Sequence, residues 1–217
     1  MNKEITTLLF DLDGTLINTN ELIINSFMHT LGKFYPEQYK RENVIPFMGP
    51  PLEETFSSID PQKLEDLVKT YMNFNKEHHD VYVREFPGVY DTIQTLKEKG
   101  YKLGIVSTKR LEIVRMGLRL TKLEPFFETI ITFDDVEKLK PDPEPIYKAL
   151  AHFGSTPEET IMIGDNYHDI EAGKNAGTKT AGVAWSLKGK EFLQQWEPDY
   201  MLEKIEDLFE ILGEKKG

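Results

Sequence analysis

Five short apolar runs, at residues 5–10, 102–106, 129–133, 160–163 and 179–184, alternate with stretches of helical spacing, and this alternation constrains the fold more than any other feature of the chain. Strand, helix, strand in succession predicts parallel pairing with helices on both faces of one sheet. Right-handed crossovers then restrict the arrangement to a doubly wound, Rossmann-like α/β fold. Runs this apolar suit strands buried on both faces. The candidate helices lie at 89–99, 111–120, 143–153 and 169–176, and Gly100 is suited to a left-handed cap at the end of the first. The pattern changes between the first strand and the second. From about 18 to 84 the spacing is helical, with packing stripes at Leu22, Phe27, Met28, Leu31 and at Leu64, Leu67, Val68, Tyr71. This predicts a helical cap domain at 18–85 inserted into an α/β core built from 1–17 and 86–217. Open α/β sheets bind ligands at the carboxyl edge, so an insertion directly after the first strand starts where a lid would start.

A length of 217 residues suits one large domain or one domain carrying a smaller insert. The 26 Lys and Arg stand against 37 Asp and Glu, a net charge of −11, which disfavours a nonspecific grip on nucleic acid or on an anionic membrane. No run approaches the roughly 18 apolar residues of a membrane span, and the first residues carry no signal-peptide pattern, so the expectation is a soluble, cytoplasmic protein. The absence of cysteine excludes disulfides, thiolate metal sites and a cysteine nucleophile. Chemistry falls to oxygen and nitrogen groups.

The first apolar run ends abruptly in Asp11-Leu-Asp-Gly-Thr15, which would place carboxylates at the carboxyl end of a buried strand. Alone, an Asp-Gly pair describes any turn. A second acidic group, Gly164-Asp-Asn-Tyr-His-Asp169, follows the run at 160–163, with its two Asp four residues apart around a helix start. Two carboxylate clusters on one sheet edge repel each other unless a hard cation neutralises them. Mg²⁺ fits, because it takes oxygen ligands and keeps water and phosphate in its shell. Ser107 and Thr108 end another strand just before a helix, where a hydroxyl and free N–H groups can face an anion. Lys140, in Lys-Pro-Asp-Pro143, is the type of fixed charge that could neutralise both a carboxylate nucleophile and a phosphoryl group, although most lysines are simply solvated.

In this order, the four segments resemble the haloacid dehalogenase superfamily, and the helical insertion resembles the cap of its first subfamily. The resemblance implies that Asp11 is a nucleophile forming an aspartyl-phosphate, and that Asp13 is the acid that protonates the leaving group and the base that activates water. It also implies that Lys140 holds Asp11 and phosphate together and that Ser107 binds the phosphoryl oxygens. Magnesium would be held by Asp11, the Asp13 carbonyl, Asp165 and Asp169, the last as ligand or supporting group. Dehalogenases of the superfamily carry Tyr where this chain has Asp13, so the resemblance favours a phosphatase.

Substrate choice should come largely from the cap. Its loop at 47–54 has neither a Schiff-base Lys nor the Arg of sugar-phosphate mutases, and resembles the Gly-Pro loop of phosphoglycolate phosphatases. The stretches at 16–22, 74–80, 164–169 and 172–178 resemble the inorganic pyrophosphatases of the family more closely, with Asn18 standing where Asp is common. Pyrophosphate is then the expected small phosphorylated substrate. Phosphoglycolate, and a phosphate-sensing protein without turnover, are the alternatives. Thr108 and Lys109 join Ser107 as expected substrate-binding residues, and Lys109 and Arg110 are candidates for the charge of a second phosphate. His78 and His79 fit a cap contact or a plain polar helix end.

Overall fold

The computed structural model describes residues 4–214. Eight strands are present among them: β1 Thr7–Phe10, β2 Ile17–Asn18, β3 Arg84–Glu85, β4 Lys102–Val106, β5 Thr129–Ile131, β6 Thr160–Gly164, β7 Lys179–Val183 and β8 Tyr200–Leu202. The ten α-helices are α1 Asn20–Phe34, α2 Arg41–Val44, α3 Leu52–Ile59, α4 Leu64–Tyr82, α5 Val89–Glu98, α6 Leu111–Leu120, α7 Glu144–Phe153, α8 Tyr167–Ala176, α9 Lys190–Gln194 and α10 Asp207–Ile211. The chain divides into two compact units, Met1–Asn18 with Glu85–Gly217, and Thr19–Arg84. The expected core range includes 1–3 and 215–217, which lie outside the described residues.

The larger unit is built on a six-stranded sheet in the order β5-β4-β1-β6-β7-β8, with every described pairing parallel. β1 is central and buried at all four positions, which explains why its run is apolar without alternation. Leu9 points into a cluster with Val106, Met162, Ile146, Ala149, Leu150, Ala172 and Ala176, formed where α7 and α8 cover one face. Phe10 meets Phe127 edge to face, at 6.1 Å between ring centroids. Burial of such side chains contributes about 1.5–3 kcal/mol each. Register sets the height of the carboxyl edge. Phe10 lies opposite Ile105 of β4 and Ile163 of β6, so the residues that follow these three strands emerge within one residue of a common level.

The smaller unit is helical. α1 turns Ile23, Ile24, Phe27 and Leu31 onto Leu67 and Tyr71 of α4, with Val44, Met48 and Phe56 completing the core. Phe27 is its centre, with ring contacts to Tyr71 at 4.9 Å, Phe56 at 5.5 Å and Phe47 at 5.6 Å. Met28 and Val68, expected on the stripes, pack against this core as partly buried residues. A buried polar seam runs beside it: Asn75 Nδ2 donates to Ser26 Oγ at 3.1 Å, and Ser26 Oγ donates to Leu22 O at 2.6 Å.

Two expectations need correction, and three short elements come in addition. The run at 129–133 stops as a strand at Ile131, because Thr132 caps a 3-10 turn at Phe133–Asp135 through its hydroxyl and Asp135. The helix expected at 169–176 starts two residues earlier, at Tyr167, where Asn166 Oδ1 accepts from the Tyr167 N–H at 2.8 Å. β8, α9 and α10 had no counterpart in the sequence reading.

Candidate active site

The carboxyl ends of β1, β4 and β6 deliver Asp11, Ser107 and Asp165, in that order. Asp11 and Asp169 are buried and Asp165 is half-buried, and one carboxylate oxygen of each lies within 4.8 Å of the others. Local backbone makes this approach possible. Gly14 has φ +79° and a Cβ there would sit 2.3 Å from Asp165 Oδ2, so the turn after Asp13 has room only for glycine. A Cβ on Gly164 would meet the Asp169 carboxyl carbon at 2.2 Å.

Lys140 is buried at the centre of the cluster. Its ammonium donates to Asp11 Oδ1 at 2.8 Å, to Asp169 Oδ1 at 2.6 Å and to Val106 O at 2.7 Å, which uses all three of its protons. Burial opposes its charge, yet Asp11 and Asp169 outweigh burial and hold its pKa above the ordinary lysine value. Asp169 Oδ2 accepts the Asn166 N–H at 3.1 Å, so this carboxylate ties Lys140 to the start of α8. Asp13 pairs with Lys109, Nζ to Oδ1 at 2.7 Å. Ser107 is buried and its Oγ accepts the Lys109 N–H at 3.2 Å, which shapes the loop that also carries half-buried Thr108.

One buried lysine does not balance this many carboxylates. Burial, aided by the charges of Asp169 and Asp13, pushes Asp11 up to about 7 despite Lys140. Burial, with Asp11 and Asp169, likewise drives Asp165 well above the usual carboxylate range. The cluster therefore disfavours its own ionised state. An all-oxygen set of this kind is what a hard divalent cation requires, and Asp11, Asp165 and Asp169 could hold one.

The remaining sequence candidates make other contacts. Arg110 stacks its guanidinium on Phe133, 5.0 Å from the ring centroid. His78 and His79 belong to α4 in the helical unit: His78 stacks on Phe74 at 4.0 Å, and buried His79 contacts Asp80 through Nδ1 at 2.7 Å.

Two features were not singled out from the sequence. His168, next to Asp169, is pushed down to about 4 by burial and is therefore neutral at pH 7. The loop after β7 also reaches the site, because Ser186 Oγ donates to Asp165 O at 2.7 Å and the same loop carries Lys188. Burial lowers the pKa of Lys188 while Asp165 and Asp169 oppose that shift, so its ammonium stands in the field of both carboxylates. The usable signal was topological: β7 neighbours β6, so its carboxyl end opens on the same edge.

Comparison with known proteins agrees with this geometry. Residues 8–183 match the model of the haloacid dehalogenase-like hydrolase family. The chain is 63% identical over 209 residues to a protein of Anoxybacillus flavithermus named pyrophosphatase PpaX, covering 96% of this chain and 97% of the relative. It is 58% identical over 211 residues to the protein of the same name from Bacillus cereus, covering 97% and 98%. A solved structure from Bacteroides fragilis, described as a haloacid dehalogenase-like hydrolase, superposes with a TM-score of 0.87 at 28% identity, covering 94% of this chain and 100% of that one. A carboxylate edge bridged by a buried lysine, on a matching fold and with relatives this similar, assigns the protein: the chain belongs to the haloacid dehalogenase-like hydrolase family.

Proposed function

We propose that this chain is a magnesium-dependent phosphohydrolase that cleaves inorganic pyrophosphate to phosphate through an aspartyl-phosphate on Asp11. The observation that carries the reading is the buried contact of Lys140 with both Asp11 and Asp169, beside Asp165. It keeps a strand-end carboxylate fixed and partly neutralised where an anionic phosphoryl group can approach. The names of the relatives at 63% and 58% identity support pyrophosphate as the substrate. A cysteine-free chain suits the reducing cytoplasm, where we place the reaction.

Asp11 forms a bond to phosphorus while the bond from that phosphorus to the bridging oxygen breaks, and Asp13 gives its proton to the departing phosphate. Asp13, then ionised, takes a proton from water as the water oxygen bonds the same phosphorus and the bond to Asp11 breaks. Ser107, Thr108 and the N–H groups of their loop bind the phosphoryl oxygens, Lys109 faces the substrate beside Asp13, and Lys140 holds Asp11 in place throughout. Asp11, Asp165 and Asp169, with the Asp13 carbonyl, would hold a magnesium ion, which would supply positive charge against the charge that builds on the transferring group. The test is phosphate release from pyrophosphate, phosphoglycolate and other phosphate esters, with magnesium and with EDTA. Magnesium-dependent turnover that is fastest on pyrophosphate supports the reading. Inertness toward every phosphorylated compound, or a clear preference for phosphoglycolate, overturns it.

A further inference from the structure

We propose that Trp185 and Ser186, adjacent in the loop after β7, are positioning residues that together hold the two acidic loops of the site at the spacing a divalent cation needs. The inference rests on the magnesium-dependent reading and names a dipeptide outside the four motif segments.

Each residue bonds a main-chain carbonyl of a different acidic loop. Trp185 Nε1 donates to Thr15 O at 3.2 Å, in the loop that follows β1 and carries Asp13. Ser186 Oγ donates to Asp165 O at 2.7 Å, in the loop that follows β6. Sheet order explains why the first bond needs a large side chain: β6 lies between β1 and β7, so the donor crosses two strand spacings, about 10 Å. The dipeptide is itself anchored. Ala184 N–H donates to Leu202 O at 2.8 Å, Ser186 N–H donates to Val183 O at 3.2 Å, and the Trp185 ring lies beside Phe86 at 6.0 Å between centroids.

A shift of Thr15 is passed to Asp13, because the turn that holds both is closed on itself. Gly14 N–H donates to Ile17 O at 2.8 Å, Leu16 and Ile17 N–H donate to Leu12 O at 2.9 and 3.1 Å, and Asp13 bridges to Ile17. The Thr15 hydroxyl is buried without a hydrogen-bond partner, so Thr15 is held through its backbone. Spacing matters because the two loops nearly touch: a Cβ on Gly14 would lie 2.3 Å from Asp165 Oδ2. Asp11 and Asp13 on one side repel Asp165 and Asp169 on the other, although oxygens of Asp11, Asp165 and Asp169 lie within 4.8 Å of one another. Without the brace this repulsion spreads the loops, and a cation must draw them together at the expense of its own affinity. With it, the oxygen set is in place before the cation arrives.

The experiment compares wild type, Trp185→Phe, Ser186→Ala and the double variant by calorimetric titration of the metal-free protein with magnesium alone. Trp185→Phe keeps an aromatic ring beside Phe86 and removes the donor, and Ser186→Ala removes the hydroxyl. Each single variant should bind magnesium about tenfold more weakly, the scale of losing a group that orients a metal ligand. Both bonds fix one spacing, so the double variant should lose little more than a single one, far short of the product of about a hundredfold expected for independent sites. Affinity is read on the fraction that folds, so lowered stability alone leaves it unmoved, and either single variant carries the test if the other does not fold. Unchanged affinity in a folded single variant, or a multiplicative loss in the double variant, overturns the brace while leaving the magnesium-dependent reading intact. A wild type that binds no magnesium overturns that reading and this inference with it.

Discussion

Lys140 has three ammonium protons and three acceptors, and two of those acceptors are buried carboxylates. Removing one partner of such a set strands the others in a poorly solvated place, which typically costs 3–5 kcal/mol. Lys140→Met should therefore lower the urea midpoint by the equivalent of about 3 kcal/mol in EDTA, and should reduce turnover by more than about a hundredfold. Unchanged stability would contradict the buried bridge. Asp11, Ser107 and Asp165 were legible as edge residues because each follows an apolar run, and a polar residue that ends a buried parallel strand emerges at the ligand edge. Lys188 was not legible, because its place depends on β7 lying beside β6, a long-range fact that no local pattern carries. For the charge of a second phosphate, the sequence offered Lys109 and Arg110 together. Both follow Thr108, yet one pairs with Asp13 and the other stacks on Phe133.

The long apolar elements were readable and the short ones were not. β1, β4 and β6 are buried along nearly their whole length, so their composition alone marks them. β8 has three residues and α9 and α10 five each, too few for either period to register. β8 pairs with β7 and buries Leu202, and a polar contact just before it adds to this. Asp199 Oδ2 accepts the Thr180 N–H at 2.9 Å and the Thr180 hydroxyl at 3.1 Å, and Oδ1 pairs with Lys179 at 2.7 Å. Partial burial works to raise the Asp199 pKa, but the bonds from Lys179 and Thr180 prevail and hold it below the usual aspartate value. A depressed carboxylate contributes stability above its unfolded pKa and loses it as pH falls through the folded value. Asp199→Ala should thus cost about 1–2 kcal/mol at pH 7. The gap in melting temperature between wild type and variant should narrow as pH drops from 5 to 3. A gap that widens on acidification would contradict the assignment.

Across the whole molecule, an acidic chain with a net charge of −11 concentrates carboxylates at one sheet edge, and this is tolerable when a cation joins them. The unit Thr19–Arg84 has a helical core of its own, centred on Phe27. Magnesium at a hundred times its dissociation constant should stabilise the metal-free protein by about 2.7 kcal/mol. At this chain length that corresponds to roughly 5–10 °C in melting temperature. Asp165→Asn should abolish most of this gain without destabilising the metal-free protein, because it also removes a repelling charge; a full magnesium shift in that variant would contradict the proposed ligand set. The proposed reaction turns on Asp11 as the nucleophile. Borohydride reduction of the enzyme during turnover of pyrophosphate, followed by mass spectrometry of the peptide containing residue 11, tests it directly, because an acyl phosphate is reduced to homoserine. Homoserine is expected at position 11 only when magnesium and pyrophosphate are both present, with loss of turnover by more than about a thousandfold in Asp11→Asn. Steady hydrolysis with residue 11 unreduced, and near-normal rates in Asp11→Asn, would contradict it.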